Sequence, residues 1–351
     1  MNRVVSVVIL LSVFSLNSPL FAKEITTKDP DKVTREANGI LTSYKDWVYY
    51  WGRNESEKET KVTDAFFREK LDGSGKMMLS DWAEKVWGSG FDIENESIFY
   101  IGYDYYGDKW HYVLKKMDLD GRNKQIVLDP FPFGGFQVEG DLVYSIGYDP
   151  KGWASVKDGD RNNGIIYRTN LKTKRTVVLK KCIYPRLWPI TEKGIYIDDE
   201  FYPTNSTNPE KSKLKDVWKQ IGHKSPMFLE VNGDSVFPDR GNIYYIIWSQ
   251  QAMTQYLVKY NEESGKTTLI KELPKYGPHL RMVNIHRGNV YFEAGPYEGK
   301  GREIHRIPLS GGKLTKVMDI PNQTSFSIIN NQIYFYSGEN LKILTRIPLP
   351  H

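Results

Sequence analysis

A short apolar and aromatic segment recurs seven times along this chain of 351 residues. In each copy an aliphatic residue is followed by an aromatic or another β-forming residue, after a short polar turn. The aliphatic residues lie 43 to 52 residues apart, which is about the length of one four-stranded propeller blade. The copies are Trp47–Tyr50, Ile98–Tyr100, Val143–Tyr144, Ile195–Tyr196, Ile243–Tyr245, Val290–Phe292 and Ile333–Phe335. This repeat predicts an all-β fold made of copies of one blade.

Most copies are followed by two further β-rich segments joined by a polar turn. In the first copy, Phe67–Leu71 and Met77–Leu79 flank Asp72–Gly75, and Gly and Asp supply the positive-φ positions of a tight hairpin. A short strand before each aromatic segment, such as Gly135–Val138, brings the count to four strands per repeat, named a to d in chain order. The sequence therefore predicts a seven-bladed β-propeller of four-stranded antiparallel blades, with six blades as the alternative.

The two ends of the chain predict how the ring closes. The last repeat ends at His351 after its third strand. The N-terminal segment Glu24–Thr27 is therefore predicted to supply the missing strand d. Closing the ring in this way would remove the exposed strand edges that invite aggregation.

The fourth repeat departs from the pattern. Asn208 and Pro209 suit the start of a helix, and Gly222 suits its end. Between them apolar residues recur at helical spacing, namely Leu214, Val217, Trp218 and Ile221. This predicts one short amphipathic helix over 209–221 on the outside of the ring, and strands c and d of this repeat stay unassigned, Met227–Val231 included.

The first 22 residues have the pattern of a signal peptide. Arg3 precedes an apolar stretch from Val4 to Leu16, and Ala22 stands just before charged residues, as at a cleavage site. The apolar stretch is too short to span a bilayer. We therefore predict a signal peptide over 1–22 and a single propeller domain over 23–351. The mature chain is expected to be a monomer that does not insert into the membrane, secreted or held in the periplasm or cell envelope.

Composition excludes several classes of partner and chemistry. The formal net charge is only +5, and Lys and Arg are spread along the chain, so no nucleic-acid partner is predicted. Cys182 is the single cysteine, so no internal disulfide can form. The six histidines lack metal-ligand spacing, and we predict neither a metal site nor a cofactor. The chain has no Gly-x-Ser-x-Gly motif, which excludes a serine-peptidase propeller.

The repeat resembles a known group of propellers. The Val48-Tyr49-Tyr50 strand, the Phe67-Arg68 strand and the turn Leu71–Gly75 together resemble a domain family of unknown function in secreted bacterial proteins. That family is itself similar to the propeller of low-density-lipoprotein-receptor-like proteins. The resemblance is clearest over residues 39–128 and extends weakly to about 349. It implies a fold and a location but no catalytic motif, and the receptor-type Tyr-Trp-Thr-Asp tetrad is replaced by Tyr50–Arg53.

Aromatic residues are concentrated in the loops of one face. In a propeller the b-to-c and d-to-a loops open on the same face, and here these loops are long and rich in Tyr and Trp. We call this the aromatic face and predict that it binds a saccharide or a peptide, because flat rings with polar edges suit both ligands. The predicted ligand-binding residues are Tyr103, Tyr105, Tyr106, Trp110, Tyr148, Trp153, Trp248, Trp82 and Trp188.

Three functions remain open from the sequence. The first is a non-catalytic exported propeller that binds a ligand on the aromatic face, and no catalytic residue is assigned. The second is a carbohydrate-active enzyme, a glycosidase or polysaccharide lyase, whose carboxylates come from distant blades; Asp104, Asp149, Asp198 and Asp199 stand near the face. The third is a scaffold that contacts another envelope protein through residues 209–221 or a blade side.

Cleavage of the signal peptide can be tested on the exported protein. We expect its first residue to be Lys23, as read from the intact mass. Replacing Ala22 by tyrosine should block processing, because the peptidase pocket requires a small residue at the cleavage site. An exported wild-type protein that retains Met1–Leu16 would contradict the prediction.

Overall fold

Seven antiparallel sheets make up the described part of the chain. The computed structural model describes residues 41–54, 63–80, 91–106, 109–132, 134–148, 164–182, 190–197, 200–225, 229–273, 281–295, 301–321, 324–337 and 343–350. Six of the sheets have four strands and one has three, and within each sheet the strands pair in the order of the sequence. The predicted seven-bladed propeller is confirmed, and the six-blade alternative is wrong. No helix among these residues is long and apolar enough to cross a membrane.

The first four blades lie between Leu41 and Lys211. Blade 1 consists of β1 (Leu41–Tyr44), β2 (Trp47–Asn54), β3 (Thr63–Lys70) and β4 (Met77–Ser80). Blade 2 consists of β5 (Phe91–Glu94), β6 (Ser97–Tyr106), β7 (Lys109–Asp118) and β8 (Gln125–Leu128). Blade 3 consists of β9 (Phe136–Glu139), β10 (Leu142–Tyr148), β11 (Gly164–Asn170) and β12 (Thr176–Cys182). Blade 4 consists of β13 (Ile190–Thr191), β14 (Gly194–Ile197), β15 (Glu200–Pro203) and β16 (Glu210–Lys211).

The last three blades follow a short 3-10 helix, Asp216–Lys219. Blade 5 consists of β17 (Leu229–Asp239), β18 (Asn242–Ser249), β19 (Thr254–Asn261) and β20 (Lys266–Leu273). Blade 6 consists of β21 (Arg281–His286), β22 (Asn289–Ala294), β23 (Glu303–Pro308) and β24 (Thr315–Asp319). Blade 7 has three strands among the described residues, β25 (Thr324–Ile329), β26 (Gln332–Ser337) and β27 (Ile343–Pro348).

The second strand of each blade is buried on both sides. In β2, Tyr49 and Trp51 pack against blade 2, whereas Val48 and Tyr50 pack against blade 7. Successive strand residues point to opposite faces of a sheet, so a strand between two neighbouring blades needs apolar residues at consecutive positions. This explains why the repeated segment reads as an unbroken apolar and aromatic run rather than as an alternating one.

One tyrosine per blade marks the core. These seven side chains are only 0 to 3% exposed, and burial of a large side chain stabilises a fold by about 1.5–3 kcal/mol. Seven apolar clusters lie between neighbouring blades, one at each junction, and five of them contain these tyrosines. The tyrosines are Tyr49, Tyr100, Tyr144, Tyr196, Tyr245, Tyr291 and Tyr334. The core is therefore distributed around the ring.

The helix predicted over 209–221 is reduced to the single 3-10 turn Asp216–Lys219. The first residues of the predicted helix form a β-strand instead, because Glu210–Lys211 pairs with β15 as strand d of blade 4. Leu214 and Val217 are at most 1% exposed and pack between blades 4 and 5. Their spacing thus reflects core packing. The scaffold hypothesis accordingly loses the helical contact surface that it invoked.

Two further expectations have different outcomes. The unassigned segment near Met227–Val231 contributes Leu229 to β17, which is strand a of blade 5, and strand c of blade 4 is β15. The strand predicted at Glu24–Thr27 lies outside the described residues, as does the signal peptide. Closure by that strand therefore stays a prediction.

Blades 7 and 1 contact each other through polar groups as well as through their apolar cluster. Arg346 Nη2 on β27 lies 2.9 Å from Glu69 Oε1 on β3, and the Glu69 side chain is only 6% exposed. Tyr50 donates its hydroxyl to the other carboxylate oxygen at 3.2 Å. Tyr334 donates to the Leu71 carbonyl at 3.3 Å. The buried carboxylate of Glu69 is thus paired and hydrogen-bonded at the junction between the last blade and the first.

Removal of Arg346 should destabilise the ring. We expect Arg346→Leu to lower the free energy of unfolding by about 3 kcal/mol, because it leaves Glu69 buried without its cation. Urea denaturation followed by circular dichroism measures the loss. The double variant with Glu69→Leu should recover part of it.

The control for this experiment is Arg122→Ala, which removes an arginine that is 80% exposed and paired with Asp120. Exposed pairs contribute about 0–1 kcal/mol. An Arg346→Leu variant no less stable than Arg122→Ala would contradict the assigned role of the Arg346–Glu69 pair.

Candidate functional site

Six of the nine predicted ligand-binding residues lie in described strands. Tyr103, Tyr105 and Tyr106 are at the end of β6, Trp110 is near the start of β7, Tyr148 ends β10, and Trp248 is next to last in β18. All six therefore lie where strand b gives way to strand c, as the sequence predicted for the aromatic face. Trp82, Trp153 and Trp188 lie outside the described residues.

The β6–β7 hairpin places four aromatic residues on two alternate rungs. Both strands are ten residues long, and they pair in unbroken register to their last residues. Tyr103 is opposite Tyr112, and Tyr105 is opposite Trp110. The backbone register therefore groups these four positions at the b-to-c end of blade 2. Of the four, Tyr112 packs against the apolar cluster between blades 2 and 3.

A second group of side chains lies on the same hairpin and next to it. Asp104 is opposite His111, and Asp129 follows β8 directly. His111 Nε2 is 2.8 Å from Asp129 Oδ1, and the ligand atoms of all three residues lie within 4.8 Å of one another. Asp104 and His111 are half-buried, whereas Asp129 is exposed. The group is therefore open to a ligand or ion from solvent.

Two carboxylates and one imidazole have two chemical uses. A protonated His111 would form an ion pair with Asp129, and a neutral imidazole together with carboxylate oxygens suits divalent transition metals. The sequence predicted no metal site because it has no His-x-x-x-His spacing. The spacing rule misses this group because its residues are not close in a helix-like pattern. Strand pairing places Asp104 opposite His111 across a turn, and the fold brings Asp129 next to His111. Asp149, Asp198 and Asp199, the other acids considered, lie outside the described residues.

Blade 5 contains a hydrogen-bonded chain that resembles a nucleophile and its base. Ser249 Oγ is 2.9 Å from His223 Nε2, and His223 Nδ1 is 2.7 Å from Gln251 Oε1. However, Ser249 is 0% exposed, and its Oγ accepts the backbone N–H of Ala252 at 2.9 Å. A nucleophile must reach its substrate. The chain of hydrogen bonds therefore has a structural role, in fixing the b-to-c turn of this blade.

Comparison with known proteins identifies a fold. No protein-family model matches the sequence, and no curated protein matches it. The predicted resemblance to the receptor-like propeller family therefore stays a prediction, while the propeller fold that it implied is confirmed.

Solved structures that are similar to this chain are propellers of several kinds. An oligogalacturonate lyase from Vibrio parahaemolyticus aligns with a TM-score of 0.54 and 12% identity over 87% of this chain and 93% of that one. An oligogalacturonate lyase in complex with manganese aligns with a TM-score of 0.53 and 12% identity over 87% and 92%. The β-propeller domain of the Trilobed protease from Pyrococcus furiosus aligns with a TM-score of 0.50 and 11% identity over 91% and 97%. At such identities the similarity establishes the fold alone.

Proposed function

We propose that this chain is an exported propeller that binds a saccharide on its aromatic face without chemical turnover. The observation that carries the proposal is the β6–β7 register, which sets the pairs Tyr103–Tyr112 and Tyr105–Trp110 on alternate rungs of one hairpin. Extended saccharides present alternating apolar ring faces and hydroxyl groups. Neighbouring aromatic residues with polar edges suit stacking on such rings.

Polar groups that would fix the orientation of a sugar lie on the same hairpin. Recognition sites combine apolar and aromatic walls with a few placed polar groups. Asp104 and His111 occupy the rung between the two aromatic pairs. A ligand at the end of the hairpin would therefore have aromatic and hydrogen-bonding residues on successive rungs.

The saccharide proposal is tested by a glycan array that also carries peptides, probed with the chain from Lys23 to His351. We expect binding to glycans, and a loss of about tenfold or more in affinity for Trp110→Ala, because central aromatic anchors contribute most of the binding energy. Trp153→Ala tests a second predicted residue of the aromatic face. Affinities are then measured by calorimetry on the best array ligand.

The conservative variant Trp110→Phe is the control, since it retains a ring and should keep most of the affinity. Circular dichroism verifies that each variant is folded. Binding to peptides only would replace the saccharide by a peptide ligand. Full affinity in both alanine variants would reject the aromatic face as the site.

A second candidate function, a carbohydrate-active enzyme, is favoured by the grouping of Asp104, His111 and Asp129. An enzyme needs acid–base or metal-held groups next to its substrate, and this group is adjacent to the aromatic residues of β6 and β7. The oligogalacturonate lyases share the fold, and one of them is a manganese complex. That similarity selects manganese and oligogalacturonates as the first ion and substrate to test.

The ion and the turnover can be measured separately. If Asp104, His111 and Asp129 hold a divalent cation, millimolar Mn²⁺ should raise the melting temperature, because an ion that binds only the folded state stabilises it. Asp129→Asn should remove this increase, whereas Asp319→Asn, at an acid whose side chain is 75% exposed, should retain it. Loss of substrate and appearance of unsaturated product report turnover. If Mn²⁺ does not raise the melting temperature and no product forms, the enzyme candidate is rejected and ligand binding is the function that stands.

A further inference from the structure

An arginine on strand c clamps neighbouring blades together at several junctions. Arg68 donates Nη1–H to the Leu119 carbonyl of the next blade at 2.9 Å. In the same way, Arg168 donates Nη1–H to the Pro203 carbonyl at 2.6 Å. Each arginine is opposite the buried core tyrosine of its own blade. An arginine opposite the core tyrosine is thus a structural feature that several blades share. A blade in which the surroundings of this arginine differ is therefore the place to look for a function.

Two of the clamp arginines have partners that offset the burial of their charge. The Arg68 guanidinium carbon lies 4.3 Å from the ring centroid of Trp47, which is within cation–π distance. Arg346, at the corresponding position of blade 7, is paired with Glu69 at 2.9 Å. Burial of a charge is costly unless it is compensated in some such way.

Blade 3 lacks both kinds of compensation. Strand pairing aligns Leu142 with the position that Trp47 occupies in blade 1. In the following blade, Tyr202 has the position of Glu69, the acid that pairs with Arg346 of the preceding blade. Arg168 is only 8% exposed. Among the described residues, no Asp or Glu oxygen lies within 4.0 Å of its nitrogens. In the described part of the chain, its polar neighbours are the carbonyl of Pro203, which accepts a hydrogen bond from it, and the hydroxyl of Tyr144, and neither carries a negative charge.

A cleft of about 380 Å³ opens at this arginine. It lies between the c-to-d turns of blades 3 and 4, on the face opposite the aromatic face. The described residues that line it include neither Asp nor Glu, and they carry a second arginine together with amide and hydroxyl groups. The lining includes Leu142, Arg168, Asn170, Arg175, Thr204 and Thr207. Two positive charges therefore face a cavity whose described lining carries no negative charge.

The polar groups of the cleft are mainly hydrogen-bond donors. Asn170 Oδ1 already accepts the backbone N–H groups of Lys172 at 3.0 Å and Thr173 at 2.8 Å. The amide N–H groups of Asn170 are therefore the part of this side chain left for a ligand. Arginine binds carboxylate, phosphate and sulfate oxygens through parallel N–H groups. A donor-rich cleft with two arginines is thus chemically complementary to an oxyanion.

We propose that this cleft binds a small molecule through an oxyanion group, with Arg168 and Arg175 as the principal contacts. The volume of the cleft falls in the range of small-molecule sites, which is about 300–1,000 Å³. One oxyanion would fill only part of it, so the ligand carries a body of about the size of a sugar ring. The carboxylate, phosphate or sulfate end of such a ligand neutralises the arginine that the fold leaves without an acidic partner.

Calorimetric titration of the full chain tests this site independently of the aromatic face. The probes are inorganic phosphate, sulfate, glucuronate and glucose 6-phosphate, with glucose as the neutral control. We expect at least one anionic probe to bind and glucose not to bind. The affinity should fall as salt rises from 0.05 to 0.5 M, because Arg175 is exposed and its charge is screened. Comparison of the probes separates a carboxylate ligand from a phosphate or sulfate ligand.

Substitutions assign the binding to the cleft. Arg175→Ala should weaken it about tenfold, the loss expected for one charge-assisted hydrogen bond. Arg122→Ala changes the net charge equally at the c-to-d turn of blade 2, where Arg122 pairs with Asp120 at the surface, and should leave binding unchanged. Arg168→Lys keeps the charge but loses the planar fork, and it should weaken binding further.

Several results would overturn the proposal. These are no binding of any anionic probe at 10 mM, equal binding of glucose, or equal losses in Arg175→Ala and Arg122→Ala. If Arg168→Lys does not fold, Arg175→Ala still decides the question, since an exposed side chain in a turn is replaced there at little cost. The aromatic-face variant Trp110→Ala should retain oxyanion binding, which keeps the failure of one site distinct from the failure of the other.

Discussion

Burial of both sides of the second strand in every blade is the constraint on which this fold depends. Each of these strands lies between two junctions, so that Tyr49 faces blade 2 while Tyr50 faces blade 7. No blade could bury these surfaces alone, because a single four-stranded sheet would expose one or both of them. The ring is therefore stable only as a whole, and each blade is held by its two neighbours.

Polar contacts between blades follow from this arrangement. A buried tyrosine on strand b is opposite a basic residue on strand c in several blades, and that residue reaches the next blade, as Arg68 does to Leu119. The charge of each clamp then has to be offset locally. Trp47 offsets the charge in blade 1, and Glu69 offsets it between blades 7 and 1. In blade 3 neither kind of partner is present among the described residues, and Arg168 lies beside an open cleft. A departure from the repeat thus creates a candidate site.

The two faces of the ring differ in the chemistry that they offer. At the strand b-to-c end of blade 2, aromatic positions share a hairpin with Asp104 and His111. On the opposite face, the c-to-d turns of blades 3 and 4 present arginine, amide and hydroxyl groups. These surfaces suit ligands of different charge, and the propeller separates them by the length of its strands. A chain of this kind would hold two ligands without either of them hindering the other.

The sequence by itself determined that the chain forms a ring of four-stranded blades, with seven favoured over six, and it located the second strand of each blade. These properties follow from a local repeat of apolar residues and turns, which can be read without knowledge of distant contacts. Tertiary structure alone decided that residues 209–221 form a strand and one helical turn, because the spacing of Leu214 and Val217 satisfies a blade junction as well as a helix. It also decided the meeting of Asp129 with His111 and the uncompensated charge of Arg168. Such sites depend on which side chains from separate strands come within a few ångströms, and no linear pattern encodes that distance.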